Sequence, residues 1–569
     1  GSGPPKLRNR PTADADFPES SRTALFRPAP TLKHSDDPLI KRVAAAIKAT
    51  GPATQKSKQA ISNFRKRQIA SGGSGARTAE TFSEVGAAFR KGLGGSVDVP
   101  EFESIAPLFS AADIESLKSR IWGRGSVLEF KNAKPGHINW RQNTADIAFN
   151  KLFHPDAATL PTPSELEILE RVFGPDLVRA IISKKKFGQK AWDIAMDLWN
   201  LPRSLLATGD ISATARQAAV LGPGNPKQFK DAFKSQIKAF MNEDYTLASR
   251  EAMEADEDFL RYTTKSGRPE SIGTRADQRL HIGAIGQAAD LSRREEAFMT
   301  RIAGRLPLVR NSERAFVTML NELRFSVMKR MVNAAETASG GPATDEQLDA
   351  IAAFINYATG RGSLGKAEGA APLLNGLGFS PRLALSRFQL PIPIFTRAPN
   401  VRKKFAQDLT IAGGSLFTML WLADKSDGID VEVNPLSSDF GKMRIGKTRL
   451  DFGAGNLQAM RFLAQVVSGK KESIATQSQS EAKRTEAVGR FLRTKAHPSL
   501  GLVLDVSNKE DFLGDDFTLE PEEFLLFHNT PDGIKFDLDF RRNPGLKTFT
   551  PMFIQDIVEA WKESGPLMA

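Results

Sequence analysis

From about residue 100 onward, apolar residues recur at three- and four-residue steps, the spacing that lines one face of an α-helix. This period limits what the chain can fold into more than any other feature. Thr162-Pro163-Ser164-Glu165 has the form of a capping box with proline at the first helical position. Leu166, Leu169 and Phe173 then follow on one face until Gly174-Pro175 ends the run, and a further helix after Pro175 runs into Lys184-Lys185-Lys186. A second capping box, Thr344-Asp345-Glu346-Gln347, opens a helix with Leu348, Ile351, Ala352 and Ile355 inward and Gly360 as its stop. Between them, 227–262 and 288–333 read as packed amphipathic helices; Phe316, Met319, Leu320, Leu323, Val327 and Met331 form a core stripe.

Strand signals are few and late. Ile429 to Val433 alternates apolar and polar residues, Met443 to Phe452 reads as a hairpin turning at Gly446-Lys447, and Ile534 to Phe540 alternates again. The expected fold is mainly α: a multi-helical body with a small β insert and a disordered basic N-terminal arm. A chain of 569 residues exceeds one core, since single cores stop growing at about 250–300 residues. The patterning divides it into a flexible basic arm (1–80), an N-terminal helical domain (81–225), a central amphipathic helical domain (226–400) and a C-terminal domain with an apolar helix and a hairpin (401–569).

Charge is unevenly placed. Residues 1–100 hold 17 Lys and Arg against 8 Asp and Glu, nine of the chain's twelve net positive charges. Residues 1–80 are rich in Pro, Ser, Gly and Ala, a composition that buries too little apolar surface to order itself. Lys41 to Lys48 and Lys56 to Arg67 are expected to become short basic helices on a polyanion. The cations there, Arg8, Arg10, Lys41, Arg42, Arg65, Lys66 and Arg67, suit sequence-independent contact with DNA phosphates, or with anionic lipid. The opening Gly1-Ser2-Gly3 carries no signal pattern and reads as a cloning remnant or an end left by proteolysis.

Catalytic signatures are scarce. The chain has no cysteine, which excludes disulfides, thiolate metal sites and cysteine nucleophiles. No two of its six histidines lie three or four residues apart, and no Gly-x-Ser-x-Gly elbow occurs. No metal or cofactor is implied. Acidic runs at Glu251 to Asp258 and Asp515 to Glu523 read as solvated faces. Gly360-Arg361-Gly362-Ser363-Leu364-Gly365-Lys366 approaches a phosphate-cradling loop, but Ala367 stands where a hydroxyl would hold Mg²⁺, and a helix precedes it where a strand is needed. A nucleotide-using or nucleic-acid-acting enzyme built on Gly360, Gly365 and Lys366 is the alternative reading.

Leu409 to Ala423 is fifteen residues without a charge, with Arg402, Lys403 and Lys404 before it. At ~1.5 Å per residue it measures about 22 Å, short of a ~30 Å hydrocarbon core. That length favours a buried central helix. The alternative is a membrane or assembly helix presenting Leu409, Ile411, Leu416, Phe417, Leu420 and Trp421, its flanking cations among anionic headgroups.

Several strings carry a resemblance: Asn200 to Gln217, Ile355 to Gly362, Ala371 to Asn375, Phe379 to Arg382 and Asp439 to Arg449. Together, over roughly 190–560, they resemble the helical C-terminal regions of bacteriophage large polyvalent and internal virion proteins. The resemblance implies a non-enzymatic protein of the virion interior, delivered into the bacterial host with the genome. Its implied partners are packaged or host DNA, copies of itself or portal and tail proteins, and anionic membrane during delivery.

Overall fold

The computed structural model describes residues 37–51, 101–184, 199–283, 307–365, 374–508 and two strands within 527–536, interrupted at 129–139, 268–276 and shorter gaps. Among these residues helices dominate and the strands are short antiparallel pairs, so the chain is mainly α with a small β insert.

The first group of elements comprises α1 (Pro38–Ala49), β1 (Glu101–Glu103), α2 (Ala111–Trp122), α3 (Trp140–Leu152), β2 (Ala157–Thr159), α4 (Pro163–Phe173) and α5 (Pro175–Ser183). These pack on one another, with α1 lying on α5, and β1 pairs with β2. The flexible-arm expectation for 1–80 is corrected over 38–49. Ile40, Val43, Ala44 and Ile47 recur at i, i+3, i+4 and i+7 and are all buried, so this segment has an apolar stripe of its own to dock with. The Asp37 carboxylate caps it, accepting from the Leu39 amide at 2.7 Å. At its far end Lys184 Nζ donates to the Lys48 and Thr50 carbonyls at 2.9 and 2.5 Å. Gly174, at φ +82°, makes the corner between α4 and α5.

The second group is built on α11 (Pro307–Ser339), a helix of 33 residues. Around it lie α6 (Ile211–Ala218), α7 (Leu221–Gly224), α8 (Pro226–Met241), α9 (Glu243–Glu254), α10 (Phe259–Thr263), α12 (Asp345–Ala358), α13 (Pro381–Gln389) and α14 (Pro399–Asp424). Elements on the two sides of the expected 225/226 boundary touch: α6 packs on α11, and α7 on α14. The expected boundary at 400/401 falls inside α14. The second capping box forms as read, with Thr344 Oγ1 accepting from the Gln347 amide and Gln347 Oε1 from the Thr344 amide.

Two buried arginines in this interior are paired. The Arg324 side chain, wholly buried, donates to the Thr359 hydroxyl at 2.8 Å and its carbonyl at 3.2 Å. Buried Arg279 bridges Asp345 (2.7 Å) in the first turn of α12 and Asp349 (2.6 Å) one turn on. The acidic run expected to be a solvated face is corrected in the same way. Glu254 is buried against Arg250, Asp256 holds Lys329, and Asp258 accepts from the Tyr262 hydroxyl at 3.1 Å.

The remainder holds β3 (Ile429–Val431), β4 (Met443–Ile445), β5 (Thr448–Leu450), α15 (Asn456–Ser468), β6 (Lys470–Glu472), β7 (Gln479–Glu481), α16 (Arg484–Thr494), α17 (Pro498–Asn508), β8 (Phe527–Thr530) and β9 (Gly533–Phe536). Strands β3, β4 and β5 form one antiparallel sheet, and the β4–β5 hairpin turns at Gly446 (φ +58°) with Ile445 opposite Thr448, as its sequence predicts. The late alternating run forms β9 over its first residues, paired with β8; 537–540 lies outside the described residues.

Glu322 lies on α11 beside Ser249 and Ser235. Burial pushes its carboxyl above the usual range, more than the two serine hydroxyls and Lys238 pull it down. A carboxyl whose pKa rises on folding stabilises the fold fully below its unfolded value, and that contribution is lost as pH rises through the folded value. Glu322→Gln keeps an acceptor for Ser249 and removes the charge. It is therefore expected to resist urea better than the native chain at about pH 8, the gap narrowing toward about pH 4, where the unfolded carboxyl takes up its proton.

Candidate functional site

Among the cations expected to meet DNA, Lys41 and Arg42 lie on the exposed side of α1. Arg42 is held: its Nη2 is 2.7 Å from Asp113 Oδ2 and its guanidinium stands 4.9 Å over the Phe109 ring. The hydrogen bond from Arg42 holds the Asp113 carboxyl below the usual range. Arg8, Arg10, Arg65, Lys66 and Arg67 lie outside the described residues.

Five amides of the loop after α12 are hydrogen-bonded within the protein. Gly360 N–H donates to Tyr357, Arg361 N–H to Asn356, and Gly362 N–H to the Arg382 carbonyl. Ser363 N–H goes to Gln389 Oε1 at 2.7 Å and Gly365 N–H to Ser363 Oγ at 3.1 Å. Lys366 lies outside the described residues. The glycines have a packing reason: a Cβ on Gly362 would come within 2.6 Å of both the Arg382 carbonyl oxygen and the Ser386 nitrogen, so the loop touches α13 through bare backbone. These five amides are engaged within the protein, whereas a phosphate cradle presents free N–H groups pointing outward.

Helix α14 departs from its expectation as well. Its start is anchored: Val401 and Phe405 are buried, and Phe405 stacks on Phe354 of α12 at 4.5 Å. Asp408 is buried beside α7, where a Cβ on Gly224 would meet it at 2.8 Å. Beyond it burial stops. Leu409, Ile411, Leu416 and Leu420 are half-buried, while Phe417 is 70% and Trp421 52% exposed. The buried-central-helix expectation is corrected: the uncharged run projects past the core, because only its first turns have partners to pack on. Among the described residues no helix is long and apolar enough to cross a membrane.

A different cluster was invisible to motif reading. Helices α13, α15 and α16 meet through Phe388, Phe462 and Phe491, whose ring centres lie 4.4–5.9 Å apart. Each phenylalanine follows an arginine: Arg387, Arg461 and Arg490. Successive helical residues are ~100° apart, so packing the rings gathers the cations beside them. Arg387 Nη2 donates to the Arg216 carbonyl at 3.3 Å, while its Nη1 is sealed from solvent without an acceptor. Burial, then the Arg216 charge, pushes the Arg387 pKa down to about 10. Arg461 Nη1 donates to the Ser438 carbonyl at 2.5 Å. Arg490 Nη2 is sealed without a hydrogen-bond acceptor and lies 3.9 Å from Glu486 Oε1. Lys495 Nζ donates to Gln458 Oε1 at 2.7 Å; burial, then the charges of Arg387 and Arg461, push its pKa down.

The acids nearby do not balance this charge. Asp439 is already paired with Lys442 and Arg449 at 2.8 and 2.6 Å, and Glu486 with Lys471 at 2.9 Å. Asp451 faces Arg387, Arg461 and Lys495 without a direct ion pair among the described residues, its Oδ1 accepting from Gly453 N–H. The available signal was the Arg-Phe dipeptide, present on four helices: those at 387, 461 and 490 converge, whereas Phe325 of Arg324-Phe325 on α11 packs against Phe259 and Tyr262. Among the described residues no group of three His, Asp or Glu side chains is placed to hold a metal ion.

No protein-family model, no curated protein and no solved structure matches the chain. Its function therefore rests on its own residues.

Two glycines make a paired test of the packing. Gly362→Ala is expected to cost about 1–3 kcal/mol, because the added carbon meets backbone that cannot yield. Gly413→Ala, in the open mid-length of α14 with nothing within 4 Å of its Cβ, is expected to stabilise by about 0.5–1 kcal/mol. Chemical denaturation of both variants measures the contrast.

Proposed function

We propose that the chain is a non-enzymatic internal virion, or ejection-type, protein of a bacteriophage. It assembles with copies of itself or with portal and tail proteins, contacts packaged or host DNA through clustered cations, and rests an apolar helix end on anionic membrane during delivery. The observation that carries this reading is the projecting part of α14. An uncharged helical run with Phe417, Trp421 and Leu422 exposed gains by burial against a second body, at about 25 cal/mol per Å² of apolar surface.

The apolar surface is wider than this one helix. Met460, Leu463 and Val467 are exposed at one-face spacing on α15, and Val488 and Leu492 on α16. At the anchored end Arg402 and Lys403 are exposed cations suited to anionic headgroups. The virion setting is supported by the resemblance of the strings between 200 and 449 to internal virion proteins.

The test combines sedimentation velocity with flotation on phosphatidylglycerol-containing vesicles. Phe417→Asp with Trp421→Asp changes two exposed residues, so the fold is expected to persist while self-association or vesicle binding weakens on the order of a hundredfold, two aromatic burials being lost. A native chain that stays monomeric at every concentration and ignores vesicles overturns the reading.

A further inference from the structure

We infer that Arg387, Arg461, Arg490 and Lys495 form a binding site for a phosphate group, which extends the assembly reading to a specific ligand chemistry. The argument begins with how this chain treats arginines that serve only its fold. Arg279, Arg314 and Arg324 are all buried, and they donate to carboxylates, carbonyls or a hydroxyl at 2.6–3.2 Å. Arg387 and Arg490 break that pattern, each keeping one sealed Nη atom without an acceptor. A buried donor left unmade is costly, the more so on a charged group, and two of them on neighbouring helices mark a place built for an acceptor.

Charge points the same way. Arg387, Arg461 and Lys495, with Arg216 close behind, face Asp451; Arg461 also faces Asp439, and Arg490 is 3.9 Å from Glu486, but Asp439 and Glu486 are already held by Lys442, Arg449 and Lys471, so positive charge is left over. A phosphomonoester carries about −1.5 to −2 charge at neutral pH with three acceptor oxygens, and a backbone phosphodiester a single negative charge shared by its two non-bridging oxygens; both suit forked guanidinium donors. Helix α15 adds to the field. Its N-cap is Gly455 at φ +78°, with no capping side chain, and a Cβ there would lie 4.0 Å from Arg387 Nε. The positive end of that helix therefore opens beside the cluster. Arg461, Arg490 and Lys495 are half-buried, so the ligand has a side from which to enter.

The phosphate can be free, or part of a nucleic-acid backbone, and one set of measurements separates the two. Thermal unfolding of the full chain is followed in inorganic phosphate and in chloride at matched ionic strength, and binding of a single-stranded oligonucleotide is followed by anisotropy. Phosphate is expected to raise the midpoint well beyond chloride. Arg387→Met and Arg490→Met are each expected to weaken phosphate about tenfold, equivalent to about 1.4 kcal/mol. Arg490 is the safer variant for folding, as it stands near the surface of α16. Weakening of the oligonucleotide by the same variants supports a backbone phosphodiester as the source, and an oligonucleotide indifferent to them supports free phosphate. A midpoint shift no larger than that of chloride, or unchanged phosphate affinity in the folded variants, overturns the proposal.

Discussion

The Arg324 guanidinium, wholly withdrawn from water at mid-length of α11, donates to both oxygens of Thr359, where α12 ends. A cation at a helix C-terminus meets the negative end of the backbone dipole, which offsets part of the desolvation that burial exacts. This fixes more than one helix end. Gly360 turns the chain at φ +82°, Gly362 brings the loop against α13, and α13 presents Phe388 and Arg387 to α15 and α16. One turn earlier, Phe354 of α12 stacks on Phe405 and anchors α14. The cation cluster and the projecting apolar helix therefore both hang from the end of α12, and that end is held by one buried arginine.

Parts of this architecture are local in cause and could be read from the sequence. Thr344 and Gln347 cap each other across three residues, and Ile445 faces Thr448 across two, so neighbours along the chain suffice to specify them. The docking of 38–49 was written locally too, in Ile40, Val43, Ala44 and Ile47. It was obscured because composition averaged over 80 residues diluted four apolar positions among prolines, serines and glycines. The fate of α14 was not legible: a run that is apolar all round has no polar face to report which side meets the core. The arginine cluster was still less so, because residues 387, 461 and 490 come together only through the packing of three helices.

Two ways of handling charge coexist in the same chain. In the body around α11, several cations and carboxylates neutralise one another in close pairs, as with Arg279 between Asp345 and Asp349 or Lys329 on Asp256, and Arg314 and Arg324 donate to carbonyls and a hydroxyl. Such pairs rigidify helix contacts but leave little field outside. Around Phe388, Phe462 and Phe491 the balance fails, with cations in excess of their acids and donors without acceptors. Aromatic packing there supplies the stability that lets like charges stay close, so the order of the site comes from the rings and its chemistry from the arginines beside them.

The anchored geometry of α14 also has a mechanical side. One end is wedged at Phe405 under Phe354, and the other joins the β3–β4–β5 sheet. The 19 residues of the helix beyond Phe405 form a stiff rod of roughly 28 Å. A pull on the sheet is carried along that rod as a torque on two stacked rings, with little slack to absorb it on the way. Strain carried along it meets the buried Asp408 contact with α7 and then the Phe354–Phe405 stack, so a load at the periphery is felt where α7, α12 and α14 come together.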